Sequence, residues 1–491
     1  MNLTACAIQV VLATMLVACG GGAGSPAATS SMPPASVTFS GSVLLGAPTA
    51  DTVRISLLSA DQAGTISVAY GTASGSYERR TPEYALQAGQ PREIALEGLA
   101  PDTVYFYRVQ FSAGGTASPG ASPEYRFRTA RPAGSRFTFT IQADSHLDEN
   151  SDLDLYRRAL ANVAADAPDF HIDLGDTFMT ERHSEPLTAV VKPSADAATV
   201  NARYAYERGN FGIVTHSVPL FLVNGNHDAE LGWLKDGTAQ NLAVWATLAR
   251  QRYFLNPKPG GFYLGDSLVE PIVGERASWY AWQWGDALFV VLDPYWHTTT
   301  KGGSDAWAYT LGERQYNWLS ETLSSSRATF KFVFIHSLVG GLDGQLRGGI
   351  EAAPFFEWGG RNADGTVGFG QKRPGWSEPV HQLLVRHGVT AVFHGHDHLY
   401  ARQELDGIVY QEVPQPSAKN FSSGPSLAVA YHYAAGTILS SSGHLRVNVG
   451  PDRVTVQYVR AWLPRDETTQ RINRQVDDTW SAVAPAKSAS Q

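Results

Sequence analysis

Between residues 36 and 130 the hydrophobic positions come in short alternating runs, VTFSGSV, VRISLLSA, TISVAYG, REIALEG, VYFYRVQFSA and EYRFRTA, each closed by turn residues. Period-two runs at this close spacing predict an all-β sandwich. Arg131-Pro132-Ala133-Gly134 reads as the linker that ends it. From residue 136 the pattern changes. Apolar runs (FTFTIQAD, FHIDLGD, PLFLVNG, ALFVVLD, TFKFVFIH, VTAVFHG) alternate with helical spacing over 152–165, where Leu153, Tyr156, Leu160 and Val163 share a face, around 314–324, and over 379–387, closed by Gly388. Such alternation predicts an α/β layered domain over 136–463, with ligands at the carboxyl ends of its strands. Three irregular inserts (177–215, 229–280 and 338–377) are expected to form lids over that edge. Residues 464–491 turn polar and are expected to be a loosely ordered tail.

The first 35 residues have a different character. Residues 5–18 form an apolar run shorter than the ~20 residues a membrane-spanning helix needs, with no Lys or Arg ahead of it. The run ends in Leu16-Val17-Ala18-Cys19-Gly20, and a Gly/Ser/Ala/Pro stretch follows. This resembles a bacterial lipoprotein signal. The resemblance implies a signal peptide over 1–18, a lipid on Cys19, a flexible linker over 19–35, and an exported protein anchored in the cell envelope. With Gly20 in place of an Asp, the expected site is the outer membrane, facing the periplasm. Cys6 and Cys19 are the only cysteines, so neither a disulfide framework nor a thiolate metal site can follow them. A net charge of −8 offers no basic footprint, and no specific nucleic-acid partner is expected.

Five clusters end apolar runs: Asp144-Ser145-His146, Gly175-Asp176, Gly225-Asn226-His227-Asp228, His336, and Gly395-His396-Asp397-His398. Residues i and i+2 of extended chain point the same way, so Asp144 with His146, and His396 with His398, read as chelating pairs. Carboxylates, imidazoles and one amide oxygen suit Mn²⁺, Fe or Zn²⁺. A carboxylate can hold two cations ~3.5–4 Å apart through its two oxygens, the separation of two-metal hydrolases.

Together the clusters resemble the calcineurin-like metallophosphoesterase pattern D-x-H, G-D, G-N-H-D/E, H, G-H-x-H, complete within 136–463. The resemblance implies a four-layer α/β/β/α sandwich and an enzyme with two divalent metal ions. It would hydrolyse small phosphomono- or phosphodiesters, with a hydroxide bridging the metals as nucleophile. Asp144, His146, Asp176 and His398 would hold one ion; Asp176, Asn226, His336 and His396 the other. His227 would protonate the leaving oxygen, and Asp228 would fix its tautomer. The 36–130 sandwich, with its Leu99-Ala100-Pro101-Asp102-Thr103-Val104-Tyr105 corner, resembles the fibronectin III-like domain ahead of purple acid phosphatase catalytic domains. Support or docking is its expected task. Those phosphatases carry an iron-binding Tyr three residues after the bridging Asp and lack the His of D-x-H. Here Met179 and His146 stand at these places, which favours divalent metals.

The 338–377 insert holds eleven glycines with Arg347, Arg361, Lys372 and Arg373. It reads either as a solvated loop or as a clamp in which Arg347 and Arg373 grip phosphate oxygens. His394, two residues before His396 on one strand, is expected to face substrate or to support a ligand. His171 and Asp173 read as structural polar residues of one sheet face, with the alternative that Asp173 orients a ligand imidazole. His297 is placed at the pocket rim. His183, His216, His381, His387, His432 and His444 are read as surface or packing residues. The competing function is a catalytically inactive, metal-binding surface lipoprotein. Such a protein is expected to lack ligands, and this chain's set is complete.

Overall fold

The computed structural model describes residues 38–113, 119–181, 195–303, 306–342 and 344–485. The lipoprotein-like stretch with Cys19, and His183, lie outside them.

The N-terminal domain is the expected β-sandwich. Strands Ser42–Gly46, Val53–Leu58 and Arg92–Leu96 form one sheet, and the other is built on Gly64–Gly71 and Val104–Ser112. In Val104–Ser112 every second side chain is buried, the period that a half-covered sheet imposes. Tyr105 ties the corner, its hydroxyl accepting the Ala100 amide at 2.8 Å.

In the second domain, two sheets lie face to face between helices. The six-stranded sheet runs Leu220–Leu222, Phe170–Asp173, Phe137–Gln142, Gly443–Val449, Arg453–Arg460, Val476–Val483. The eight-stranded sheet has Ala287–Val291, Phe330–Phe334, Ala391–His394 and Ile408–Glu412 as parallel neighbours at its centre. Inward residues Phe137, Phe139, Phe170 and Ile172 meet Trp282, Phe289, Phe332 and Phe334 in one aromatic core. Phe139 and Phe289 lie edge to face at 5.1 Å, the geometry that ring quadrupoles favour. Helices Leu153–Asp166, Ala197–Thr215 and Leu242–Tyr253 cover the outside of the first sheet. Helices Glu313–Ser325 and Val380–Arg386 cover the second. The four layers are α/β/β/α.

Two expectations change. Residues 464–491 are not a loose tail throughout, because Val476–Val483 pairs antiparallel with Arg453–Arg460 as an edge strand. Trp480 of that strand is buried, its indole N–H on Gln411. Its polar neighbours face water, which hid the strand from a hydrophobicity reading. Among the described residues the three inserts are not irregular throughout either, although Leu231, Trp233, Leu346 and Arg347 do line the cavity at the strands' carboxyl ends. Residues 197–215 and 242–253 are helical, and Leu338, Val339, Ala353 and Trp358 are buried in the second outer core.

The domains are welded by buried polar contacts. Arg208 reaches Ser42 Oγ and Ser56 Oγ at 2.9 Å and Ser56 O at 2.7 Å, and Tyr107 OH donates to His216 O at 2.6 Å. Among the described residues no helix is long and apolar enough to cross a membrane.

Candidate metal centre

The five clusters converge where strands of both sheets end. Asp144 follows Phe137–Gln142, Asp176 follows Phe170–Asp173, Asn226 follows Leu220–Leu222, His336 follows Phe330–Phe334, and His396 follows Ala391–His394. The loops interlock. Asp144 N donates to Gly175 O at 2.9 Å and His146 N to Asp176 O at 3.0 Å, while His396 N donates to Asp144 Oδ2 at 2.9 Å across the sandwich. The approach is so close that a Cβ on Gly225 would lie 2.3 Å from Asp176 N, which explains the glycine there.

The chelating pairs do not arise from strand alternation as expected. Asp144 (φ 61°), His146 (φ 53°), Asp176 (φ 54°), His396 (φ 84°) and His398 (φ 58°) are all left-handed. Non-glycine residues rarely adopt this conformation, and such strain gathers at functional sites. The strands stop short of the ligands, and kinked turns aim them.

Two triads result, Asp144/His146/His398 and Asp176/His336/His396, and His146, Asp176 and His227 form a third grouping that overlaps the first two. Asp144 Oδ1 lies 3.5 Å from His146 Nε2 and 3.6 Å from His398 Nε2. Asp176 Oδ2 lies 3.1 Å from His336 Nε2, 3.6 Å from His146 Nε2 and 3.9 Å from His396 Nδ1. Four buried atoms here (Asp144 Oδ1, His146 Nε2, Asp176 Oδ2 and Asn226 Oδ1) have no hydrogen-bond partner among the described residues. Burying acceptors unpaired costs about 1–3 kcal/mol each, and Asp144 Oδ1, His146 Nε2 and Asp176 Oδ2, which lie together, fit a cation site. Three of the four imidazoles have the other nitrogen engaged: His336 Nδ1 on Leu174 O at 2.9 Å, His396 Nε2 on Gln345 O at 2.6 Å, His146 Nδ1 on Met179 Sδ at 2.8 Å. That leaves His336 Nε2, His396 Nδ1 and His146 Nε2 facing inward, the usual outer support of a metal ligand.

Asp176 Oδ1 accepts the His227 amide at 2.7 Å, and Oδ2 is the oxygen within 4 Å of imidazoles from both triads. The electrostatics are those of a cation trap. Burial opposes ionisation of Asp144, but His146, His336 and His398 hold its carboxyl at about 2. Burial also opposes charge on His336, yet Asp176 and Asp144 raise it to about 10.

The assignments of Asp228 and Arg373 fail, and so does one of the two alternatives for His394. Asp228 does not serve the His227 ring. Its Oδ1 accepts the amides of Thr177 and Phe178, its Oδ2 those of Gly225 and Asp176, and His227 Nδ1 is bonded to Glu181 instead. Of the two alternatives for His394, substrate contact is not made: it is buried with Nδ1 2.6 Å from Glu412 Oε2, and Glu412 Oε1 accepts the Asp397 amide between His396 and His398. Arg373 is bonded to Glu357 and to the carbonyls of Trp307 and Tyr309, so it holds the insert together. Asp173 also misses any imidazole, because it accepts from Gly175 N, Thr177 Oγ and Gln142 Nε2. Arg347 stands beside the centre. It reaches His396 O at 2.6 Å and Asp397 Oδ1 at 2.9 Å, and it lines a cavity of about 780 Å³ with Asn226, His227 and His396. His297 does not line that cavity and packs on Gly312. Sequence reasoning missed Glu181, Trp233 and Tyr295, which line it too. They carry no spacing pattern, although Glu181 follows Asp176 closely.

Fold and site together define a metal-dependent hydrolase of small-molecule phosphoesters. The profile of the calcineurin-like phosphoesterases matches residues 137–400, more than half of the chain, and that of the purple acid phosphatase N-terminal domain matches 40–129. The chain belongs to the calcineurin-like phosphoesterase family. A solved structure of PhoD is 14% identical, with 90% of each chain covered and a TM-score of 0.62. Purple acid phosphatase PPD1 from yellow lupin (Lupinus luteus) seeds is 15% identical over 89% of this chain and 73% of that one, with a TM-score of 0.58. Both share the fold. No curated protein matches the chain.

Proposed function

We propose that the protein is an exported two-metal phosphoesterase that cleaves phosphomono- or phosphodiesters, and that Asp144, His146, Asp176, Asn226, His336, His396 and His398 are its ligands. The observation that carries this reading is a cluster of unpartnered buried atoms: Asp144 Oδ1 and Asp176 Oδ2 lie 3.5 and 3.6 Å from His146 Nε2, and Asn226, whose Oδ1 is also unpartnered, lines the adjoining cavity with His396. Two divalent ions (Mn, Fe or Zn) held there would acidify the attacking water and withdraw charge from the phosphoryl oxygens. Asp176 ties the two halves through Oδ2. Arg347, fixed by Asp397 and stacked over Tyr431 at 4.2 Å, holds a phosphoryl oxygen at the cavity edge. His227, its Nδ1 on Glu181, delivers a proton to the departing oxygen.

In this reading Cys19 carries the lipid that anchors the enzyme in the cell envelope, in the outer membrane facing the periplasm. Cys19→Ala tests the anchor, since unchanged membrane fractionation would refute it. Metal analysis of the purified chain and of Asp176→Asn tests the centre. Two divalent ions per wild-type chain, hydrolysis of p-nitrophenyl or bis-p-nitrophenyl phosphate, and loss of paired occupancy in the variant are expected. Full occupancy in Asp176→Asn would sink the ligand assignment.

A further inference from the structure

The cavity beside the metal centre, at about 780 Å³, is within the ~300–1,000 Å³ range that encloses a whole small organic molecule. A phosphate group needs little of it. The wall leading away from Asn226 and His396 is apolar and aromatic, made by Leu231, Trp233, Leu242, Tyr295, Tyr309 and Leu346. We propose that this wall selects phosphoesters whose esterified group carries a flat aromatic ring, aryl or heteroaryl, over esters of small polar alcohols. The inference rests on the metal-centre reading above and names the substrate class for it.

Trp233 is the centre of the wall. It sits on the short turn Gly232–Leu234, five residues after Asp228. That turn is pressed onto the neighbouring loop: a Cβ on Gly232 would meet the Trp296 and Thr298 carbonyls at 2.4 Å, and Gly232 N donates to Tyr295 O at 3.1 Å. The indole stands nearly perpendicular to Tyr295 (6.4 Å and 79°) and to Tyr309 (6.0 Å and 88°). Both tyrosines are anchored by their hydroxyls, Tyr295 to Ser337 Oγ at 2.8 Å and Tyr309 to Gly344 O at 2.6 Å. The three rings are therefore preset before any ligand arrives, and Trp233 is only half-buried. Aromatic pairs prefer offset-stacked and edge-to-face packing, so a guest ring extends the cluster, whereas a polyol would desolvate its hydroxyls against it. Leu346 on the facing loop is buried with a left-handed φ of 67°. A branched side chain rarely adopts that conformation, and here it completes the apolar wall.

Binding of phosphonates, which cannot be hydrolysed, separates recognition from leaving-group chemistry. Methyl-, hexyl- and phenylphosphonate are titrated calorimetrically into the Mn²⁺-loaded full chain, its Trp233→Ala variant and its Trp233→Phe variant. Phenylphosphonate is expected to bind roughly ten- to a hundredfold tighter than methylphosphonate, the gain that ring stacking on an aromatic side chain carries. Trp233→Ala should lose about tenfold more affinity for the phenyl than for the methyl compound, and Trp233→Phe should keep most of the preference. Equal binding of phenyl- and methylphosphonate, or hexylphosphonate matching phenyl, would overturn ring recognition while leaving the metal-centre reading intact. Binding of none of the three would overturn both.

Discussion

Asp228→Asn is nearly isosteric and separates two roles for this side chain. In the structure the carboxylate is a knot for four amides: Oδ1 accepts Thr177 N at 3.0 Å and Phe178 N at 3.1 Å, and Oδ2 accepts Gly225 N at 2.6 Å and Asp176 N at 3.1 Å. An Asn oxygen can keep one pair, but its NH₂ must then face the other. Two buried N–H groups are left without an acceptor, at about 1–3 kcal/mol each, or ~2–6 kcal/mol together. Burial, and after it the Asp176 charge, push the Asp228 carboxyl up to about 7. The native charge is thus itself strained, which places the expected loss near the lower half of that range, about 3 kcal/mol. All twelve tryptophans lie at residue 233 or beyond, so urea unfolding followed by tryptophan fluorescence reports on the catalytic domain alone. The same loops aim Asp176 and Asn226, so metal occupancy should fall with stability. If Asp228 instead served only the His227 ring, stability would stay within ~0.5 kcal/mol of wild type while turnover dropped. That outcome would refute the anchoring role.

His227→Ala should retain metal and slow turnover ~10²–10⁴-fold for a poor leaving group; a loss just as large for a good leaving group would show that His227 positions substrate and transfers no proton. Burial, opposed by the Tyr156 hydroxyl and reinforced by Asp173, raises Glu207 to about 8, so the folded chain holds this proton where the unfolded chain has released it. Stability should then fall as pH climbs from about 4.5 towards about 8. Glu207→Gln should flatten that fall in pH-dependent urea unfolding, and an unchanged slope would reject a protonated Glu207. Because Met179 occupies the third position after Asp176 and its sulfur lies on His146, the iron-loaded protein should show no tyrosinate charge-transfer band. A visible band that bleaches on reduction would mean that another tyrosine enters the centre.

The candidate ligand set was legible because strand ends leave a plain mark: an apolar run followed at once by Asp, Asn or His. The paths of the ligand loops were not. Alternation along a strand predicts that Asp144 and His146 share a face, and they do meet, but through left-handed turns at both residues that no periodicity encodes. Asp228 and Arg373 were misplaced for a common reason. Sequence marks them as charged residues near chemistry and is silent on whether backbone groups or substrate meet the charge. Asp228 is consumed by four amides and Arg373 by Glu357 and two carbonyls. The closing strand Val476–Val483 escaped notice because an edge strand needs only one buried anchor, here Trp480. His171 and Asp173 were read correctly from parity alone, since Phe170 and Ile172 claim the inner face.

Among its described residues the β-sandwich offers no candidate ligand, yet it is connected to the centre through one helix, Ala197–Thr215. In its second half Arg208 is bonded to Ser42 and Ser56 of the sandwich. One turn earlier Tyr204 stacks on Phe178 at 3.8 Å and 10°, and its hydroxyl reaches Asp228 O at 3.3 Å. Arg203 donates to Met179 O at 2.8 Å and also to Thr180 O. Positions 204 and 208 are four apart and so share a helix face, which lets one side of one helix touch both the sandwich and the loop after Asp176. Met179 in turn receives the His146 ring. A guanidinium buried on hydroxyls and carbonyls is costly to leave unpaired, so removing the sandwich would expose Arg208 and loosen the helix that holds Met179 under His146. If the domain has the supporting role expected for it, these packed side chains are the path by which it would reach His146, a candidate metal ligand.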